Sequence, residues 1–433
     1  MTREAILAVI GRVLSQTMAH PHLERFAPQA RLNEDLYLDS VLMMNLFLNL
    51  ELEHGLAVPE AAITRRPPET VDDVADLFDP QVDAFRSDVE FMEAAGSVHD
   101  DAIVDIKVHC FVSCLCEGLA RVPALDIRPF HFTVWDADFG IDDRHRLRYH
   151  TEGVRHDAFS AWYERLYGIA LRAWYDPYAS KRHNIATMLD LLERKKPSEL
   201  LMVMLDMFHL PERENKFNQN PFPHYLLLER SDDPAMFDVI DIDYRWRGDI
   251  EREKVLFAID KPAAAGGFIF DTAEARPPSD EDIDACFRAA FIPERNPLID
   301  GLSRIVAAHG QGRDGLALGD LEDAVRELPV LTMRKYAYEH GFAFFWRALV
   351  LPDAEFQAWC DEIEVLVSGL KMLHVDVLRL AKTGDTALSA RIEARLAHLD
   401  RQEKRIKRRL GDVHALWVRE SNLDRPMALS GAA

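Results

Sequence analysis

Cysteine is scarce in this chain, five among 433 residues, too few and too scattered for a disulfide framework. No apolar run is long enough to cross a bilayer, and the N-terminus lacks the charged-then-apolar pattern of a secretory leader. A cytoplasmic protein without membrane contact is therefore expected. Positive charge is also short: 51 Lys and Arg against 73 Asp and Glu give a net charge of −22. Nucleic acid and anionic lipid are poor partners for such a chain, because their phosphates are repelled. The basic stretch Arg401 to Arg409 is interleaved with Glu403 and Ile406 and reads as a solvated helix face. No internal repeat is present, and the length allows two to four domains.

Against these absences stands Leu38-Asp39-Ser40-Val41, at the start of an apolar helical run that ends before Pro59. Asp39 and Ser40 are good N-cap types, and Val41, Met44, Leu48 and Leu52 share one face at helical spacing. Ser40 is expected at the positive end of a helix dipole, where a phosphodiester is favoured. An amphipathic helix from about Glu4 to Ser15 precedes it, followed by the loop Asn33-Glu34-Asp35-Leu36-Tyr37-Leu38. After it come Leu50-Glu51-Leu52-Glu53-His54-Gly55-Leu56-Ala57-Val58-Pro59 and Thr70-Val71-Asp72-Asp73-Val74.

In this order and spacing residues 1–80 resemble an acyl carrier protein. The resemblance implies a four-helix, all-α domain with 4'-phosphopantetheine carried covalently on Ser40 by a phosphopantetheinyl transferase. Leu42 and Met43 stand where such carriers usually expose polar residues, so a docking face beside the arm is expected, with this chain's own catalytic domain as a possible counterpart.

The rest of the chain divides into a linker at 81–101, a mixed block at 102–275, a helix-rich block at 276–420 and a frayed tail at 421–433. Leu200 to Leu205 and Tyr225 to Leu228 read as strands. Ala354 to Thr383 and Thr386 to Trp417 read as long amphipathic helices separated at Gly384.

The mixed block carries the chemistry. His109-Cys110-Phe111-Val112-Ser113-Cys114-Leu115-Cys116-Glu117 opens a helix after the strand-like Ile103 to Val108. The positive end of a helix favours the thiolate that a nucleophile needs. Phe222-Pro223-His224-Tyr225 sets a histidine at the head of an apolar strand, and Phe237-Asp238-Val239-Ile240-Asp241-Ile242-Asp243-Tyr244 brings acids on the next. Neighbouring strands can thus place imidazole and carboxylate side by side, in the Cys-His-Asp order of papain-like enzymes. Cys114 reads as packing. Cys110, Cys114, Cys116 and His109 do not make a zinc site, because helical geometry turns Cys116 away, so no metal is expected.

With Leu201-Met202-Val203-Met204-Leu205-Asp206-Met207-Phe208-His209-Leu210-Pro211 added to these motifs, residues 102–420 resemble the acyltransferases of the butirosin BtrH type. These are papain-fold cysteine enzymes that take an acyl group from a carrier protein and pass it to an amine. The resemblance implies a multidomain chain: an all-α carrier, a central α+β papain-like core and a helix-rich C-terminal region. It makes Cys110 the nucleophile, His224 the base and Asp241 the orienting acid. Asp243 stays open as the acid, because both carboxylates fall on one strand face and only the alternation through Phe237 and Val239 favours Asp241.

Papain-like enzymes often set an oxyanion-hole glutamine shortly before the cysteine, and here that position is Val104. The Cys110 N–H then needs another donor, with Asn218, Gln219 and Asn220 as candidates. His109 and Asp206 read as supports near the cleft. Trp174-Tyr175-Asp176-Pro177-Tyr178 with Lys181, Arg182 and His183 reads equally as an acceptor or phosphate pocket and as an aromatic-packed loop. The expected function is acyl transfer from the Ser40 arm through Cys110 to a small amine, in natural-product biosynthesis. Partners would be an acyl-loading enzyme or upstream synthase and a second carrier protein. A thioesterase and a non-catalytic carrier scaffold are the rivals.

Overall fold

The structure, a computed structural model, describes residues 1–20, 22–33, 35–38, 40–56, 58, 68–78, 109–122, 125–150, 156–210, 220–244, 246–421 and 423, with only the backbone described at Ser40, Val41 and Tyr244. The expected linker at 81–101, the strand-like 103–108, Val104, Asn218, Gln219 and the tail from 424 lie outside these residues.

The N-terminal unit packs three described helices: α1 (Arg3–Arg12), α2 (Ser40–His54) and α3 (Val71–Asp76). α1 starts at Thr2, whose hydroxyl accepts from the Ala5 N–H, and ends in a π-helical turn over Val13–Thr17. α3 opens with a capping box, Thr70 accepting from the Asp73 N–H at 3.1 Å and Asp73 accepting from the Thr70 N–H at 2.9 Å. Ile6, Ile10, Leu46, Leu50, Val71 and Val74 are fully buried.

The apolar stripe read along α2 needs correction. Leu52 is 43% exposed, whereas Met43, expected outside, is buried, and Leu42 is half-buried. The helix is packed on two sides, by α1 and by a long C-terminal helix, so it buries more than one periodic stripe.

The central block is built on one six-stranded antiparallel sheet. Its strands are β3 (Arg172–Ala173), β4 (Glu199–Asp206), β5 (Pro223–Arg230), β6 (Met236–Asp241), β7 (Trp246–Glu251) and β8 (Gly267–Asp271), in spatial order β3-β8-β4-β5-β6-β7. A separate two-stranded hairpin joins β1 (Gly140–Ile141) to β2 (Leu147–Arg148). All eight residues of β4 are buried, the continuous apolar reading expected of a strand covered on both faces. Leu201, Val203, Leu205, Leu226, Leu228, Phe237 and Val239 join one core cluster with Met188, Leu192, Val255 and Ile259 of two helices, 181–194 and 252–259. Leu200, Met202, Met204, Tyr225, Leu227 and Phe270 share the other cluster with Phe111, Leu115 and Leu119 of helix α4 (Cys110–Ala120). The period-two alternation of strand side chains makes this split.

α4 lies close on the sheet because Gly118 permits it. A Cβ there would fall 2.7 Å from Phe270 Cε2 and 3.1 Å from Leu200 Cδ1.

The C-terminal region is helical, ending in α5 (Asp353–Thr383) and α6 (Ala387–Glu420), which pack along each other. Gly384, at φ +65°, closes α5 in the left-handed conformation that glycine adopts without strain. The basic stretch is not wholly solvated. Arg401, Arg405 and Arg408 face outward, but Glu403 and Lys407 are completely buried. Lys335 Nζ donates to Glu403 Oε1 at 2.6 Å and Asp136 Oδ1 at 3.0 Å, and Lys407 Nζ donates to Asp136 Oδ2 at 2.6 Å. A buried network of paired charges here ties α6 to the loop after Trp135.

Candidate active site

Cys110 is the first residue of α4, preceded by His109 in extended backbone at φ −171°. The first intrahelical bond runs from the Ser113 N–H to the His109 carbonyl at 2.8 Å. The amides of Cys110, Phe111 and Val112 thus belong to the helix end that aims N–H groups and positive dipole at whatever lies beside the thiol. Cys110 is half-buried, whereas Cys114 and Cys116 are buried.

β4 and β5 pair so that His224 lies opposite Leu205, and β5 and β6 pair so that Leu227 lies opposite Ile240. Counted three residues further, that register sets His224 across from position 243 and diagonal to Asp241. After Asp241 the chain leaves the sheet through a 3-10 turn, Ile242–Tyr244, which packs on α4. Asp243 is therefore not on the strand, as its alternation with Asp241 suggested. It has been turned toward the helix that carries Cys110.

The His224 Nε2 is 3.0 Å from Asp241 Oδ1, and Asp241 is fully buried. Sγ of Cys110, a ring nitrogen of His224 and a carboxylate oxygen of Asp243 lie within 4.8 Å of one another. Burial works against a charged imidazole at His224. The Asp241 carboxylate and the hydrogen bond with Cys110 outweigh it and hold its pKa well above the ordinary histidine value. The structure thus brings Cys110, His224, Asp241 and Asp243 together.

Other expected residues take supporting places. Asp206 Oδ1 accepts from the N–H of Phe222 at 2.8 Å and of Phe208 at 3.2 Å, fixing the entry to β5. His109 packs edge-on against His156 and Phe159, with ring centroids 5.5 and 5.0 Å away. Burial, then the nearby Arg334 charge, push its pKa well below the ordinary range. Lys181, a candidate for an acceptor or phosphate pocket, instead donates to the carbonyls of Ile259 at 3.1 Å, Lys261 at 2.8 Å and Ala264. It closes the C-terminal end of helix 252–259. Asn220 is exposed.

Three neighbours of the site are not legible in the sequence. Arg334, buried in the helical region, donates to the carbonyls of Ala137 at 3.1 Å and Asp138 at 3.0 Å. Burial lowers its pKa to about 10, opposed in part by the Cys110 and Asp138 charges. The Tyr149 hydroxyl donates to the Pro223 carbonyl at 3.0 Å, and the Tyr149 N–H to Glu327 Oε2 at 2.7 Å. The helical region thereby braces the residue before His224. Only the adjacent basic pair Arg334-Lys335, set between apolar positions, hinted at buried cations.

Cys110, His224, Asp241 and Asp243 all lie within the first of two matched family domains. Residues 105–275 match the DUF6005 N-terminal domain and residues 281–428 the DUF6005 C-terminal domain. Petrobactin synthase of Bacillus anthracis is 38% identical over 315 residues, covering 73% of this chain and 96% of that protein. The acyl carrier protein AsbD of Bacillus anthracis is 30% identical over 79 residues, 18% of this chain and 87% of that protein. By these relationships the chain is a member of the petrobactin synthase family that also carries a stretch similar to an acyl carrier protein.

Proposed function

We propose that this chain is a carrier-dependent, amide-forming acyltransferase of natural-product biosynthesis, with nucleophile Cys110, base His224 and orienting acid Asp241. The observation that carries the reading is the Cys110–His224–Asp241 grouping, with the thiol at a helix start and the imidazole held by a buried carboxylate 3.0 Å away. A Cys-bearing helix laid on an antiparallel sheet with His and Asp on adjacent strands is also what a papain-like core requires. The carrier similarity and the kinship to a synthase support the same reading.

In this mechanism Ser40 would hold 4'-phosphopantetheine, which would supply the acyl group as a thioester. The Cys110 thiolate attacks the acyl carbon and forms the C–S bond. Imidazolium at His224 gives its proton to the departing thiolate, while Asp241 keeps the ring oriented. The helix-start amides face the oxyanion that develops on the carbonyl oxygen. One thioester replaces another of similar energy, so positioning and proton transfer are the main demands. An amine then resolves the acyl-enzyme to an amide. Having the carrier in the same chain raises its local concentration to about the millimolar range, provided the linker reaches.

The test is amide formation by chain treated with a phosphopantetheinyl transferase and acyl-coenzyme A. Wild type should form amide, S40A should fail to load, and C110A should load yet keep its acyl group. Free acid in the absence of amine would make the enzyme a thioesterase. Discharge indifferent to Cys110 would leave a carrier scaffold.

A further inference from the structure

Asp243 is the second acid beside the Cys110–His224–Asp241 grouping. Asp241 is sealed from solvent and engaged with His224 Nε2. Asp243 is only half-buried, and its carboxylate lies within 4.8 Å of both the Cys110 sulfur and a His224 ring nitrogen. A carboxylate against the sulfur is no help to a thiolate, since like charges repel at short range. It suits a positive charge that arrives once the sulfur has been acylated and is neutral. Three other described ionisable groups of this region differ from it. His109 and His150 are driven toward the neutral form by burial. Arg334 is a cation directed at the Ala137 and Asp138 carbonyls.

We propose that Asp243 is the acceptor-binding carboxylate, holding the amine as its ammonium ion beside the acyl carbon on Cys110. This rests on the acyltransferase reading above and assigns a residue to its acceptor side, for an amine that is cationic at neutral pH. Asp243 takes one proton from the ammonium group. The freed lone pair forms the C–N bond, and a second N–H proton passes to His224. The C–S bond breaks and its electron pair returns to the Cys110 sulfur. Amide, thiolate, imidazolium and protonated Asp243 result, and Asp243 releases its proton to solvent. Water carries no charge and gains less from this carboxylate than an ammonium ion does, so the site favours aminolysis over hydrolysis.

The experiment discharges preformed acyl-Cys110 with a primary alkylamine, cationic at neutral pH, and in parallel with hydroxylamine, which is neutral. In D243N the ratio of alkylamine to hydroxylamine discharge should fall roughly 10- to 100-fold, the worth of one hydrogen bond to a charged group. D243E should recover part of it. In wild type, an unreactive quaternary ammonium ion should block alkylamine discharge and spare hydroxylamine, a result independent of any substitution. An unchanged ratio in D243N overturns the proposal, as does a quaternary ammonium ion that inhibits neither nucleophile. Folded D243N that cannot form acyl-Cys110 also overturns it, because Asp243 would then serve the thiol. Absence of acyl-Cys110 in wild type would instead defeat the acyltransferase reading itself.

Discussion

Asp241 and Asp243 stand two residues apart and end in different surroundings. The first closes β6 and faces His224 across the sheet; the second leaves the strand in a 3-10 turn and meets the thiol. Alternation along the sequence put them on one face, and the 3-10 turn that follows Asp241 separates them. Cys110 and His224 were legible because each sits at the end of an element with a strong pattern. Arg334 and Tyr149 were not, because their roles come from contacts between residues 74 to 197 positions apart in the chain. Removing the charge of Asp241 tests the geometry at this scale. D241N should lower the transfer rate on the order of 10²- to 10³-fold with its fold retained. The sign of the pH effect follows from the raised His224 pKa. A thiolate–imidazolium pair persists only below that pKa, and losing the Asp241 charge lowers it. The basic limb of the pH–rate profile should therefore move to lower pH in D241N.

At the scale of elements, α4 is the piece on which the site depends. It has to bring Cys110 down onto the sheet, and Gly118 leaves no room for a Cβ against Phe270 and Leu200. Alanine would improve helix propensity here by about 1 kcal/mol, so any loss reports the packing rather than the helix. G118V should destabilise the chain by about 1–3 kcal/mol through overpacking, seen as a lower thermal midpoint. It should also slow transfer by lifting the helix start away from His224. The break between α5 and α6 at Gly384 could be read from the sequence, since a left-handed closing residue favours glycine. The inward turn of Glu403 and Lys407 could not. A basic stretch with helical spacing looks like a surface until its partners Lys335 and Asp136, from elsewhere in the chain, are known.

For the whole molecule, the notable contact joins the carrier-like unit to the helical region. Arg379 of α5 donates to Glu51 of α2 at 2.6 Å, and Lys382 lies 3.4 Å from the Asn49 side-chain oxygen. The expectation from Leu42 and Met43 was a docking face beside Ser40. The polar contacts lie instead near the far end of α2, roughly 15 Å along the helix from Ser40 at 1.5 Å per residue, so Ser40 is not part of them. No helix among the described residues is long and apolar enough to cross a membrane. The Glu51–Arg379 pair is partly exposed and worth about 1 kcal/mol or less by itself. Even so, it is well placed to hold two units in register. E51R should raise hydrogen exchange in the second half of α2, and E51R/R379E should restore protection. Exchange that ignores both variants would mean that apolar packing alone seats the carrier. The Arg379–Glu51 pair joins residues far apart in the chain, and it was not visible from either segment read alone.

The most direct test is peptide mapping of the acyl-loaded chain, quenched in acid before any amine is added. The expected result is the acyl mass on the Cys110 peptide, dependent on Ser40, absent in C110A and removed by amine with formation of amide. Acyl mass confined to the Ser40 arm, with amide still forming at the wild-type rate in C110A, would contradict a Cys110 acyl-enzyme.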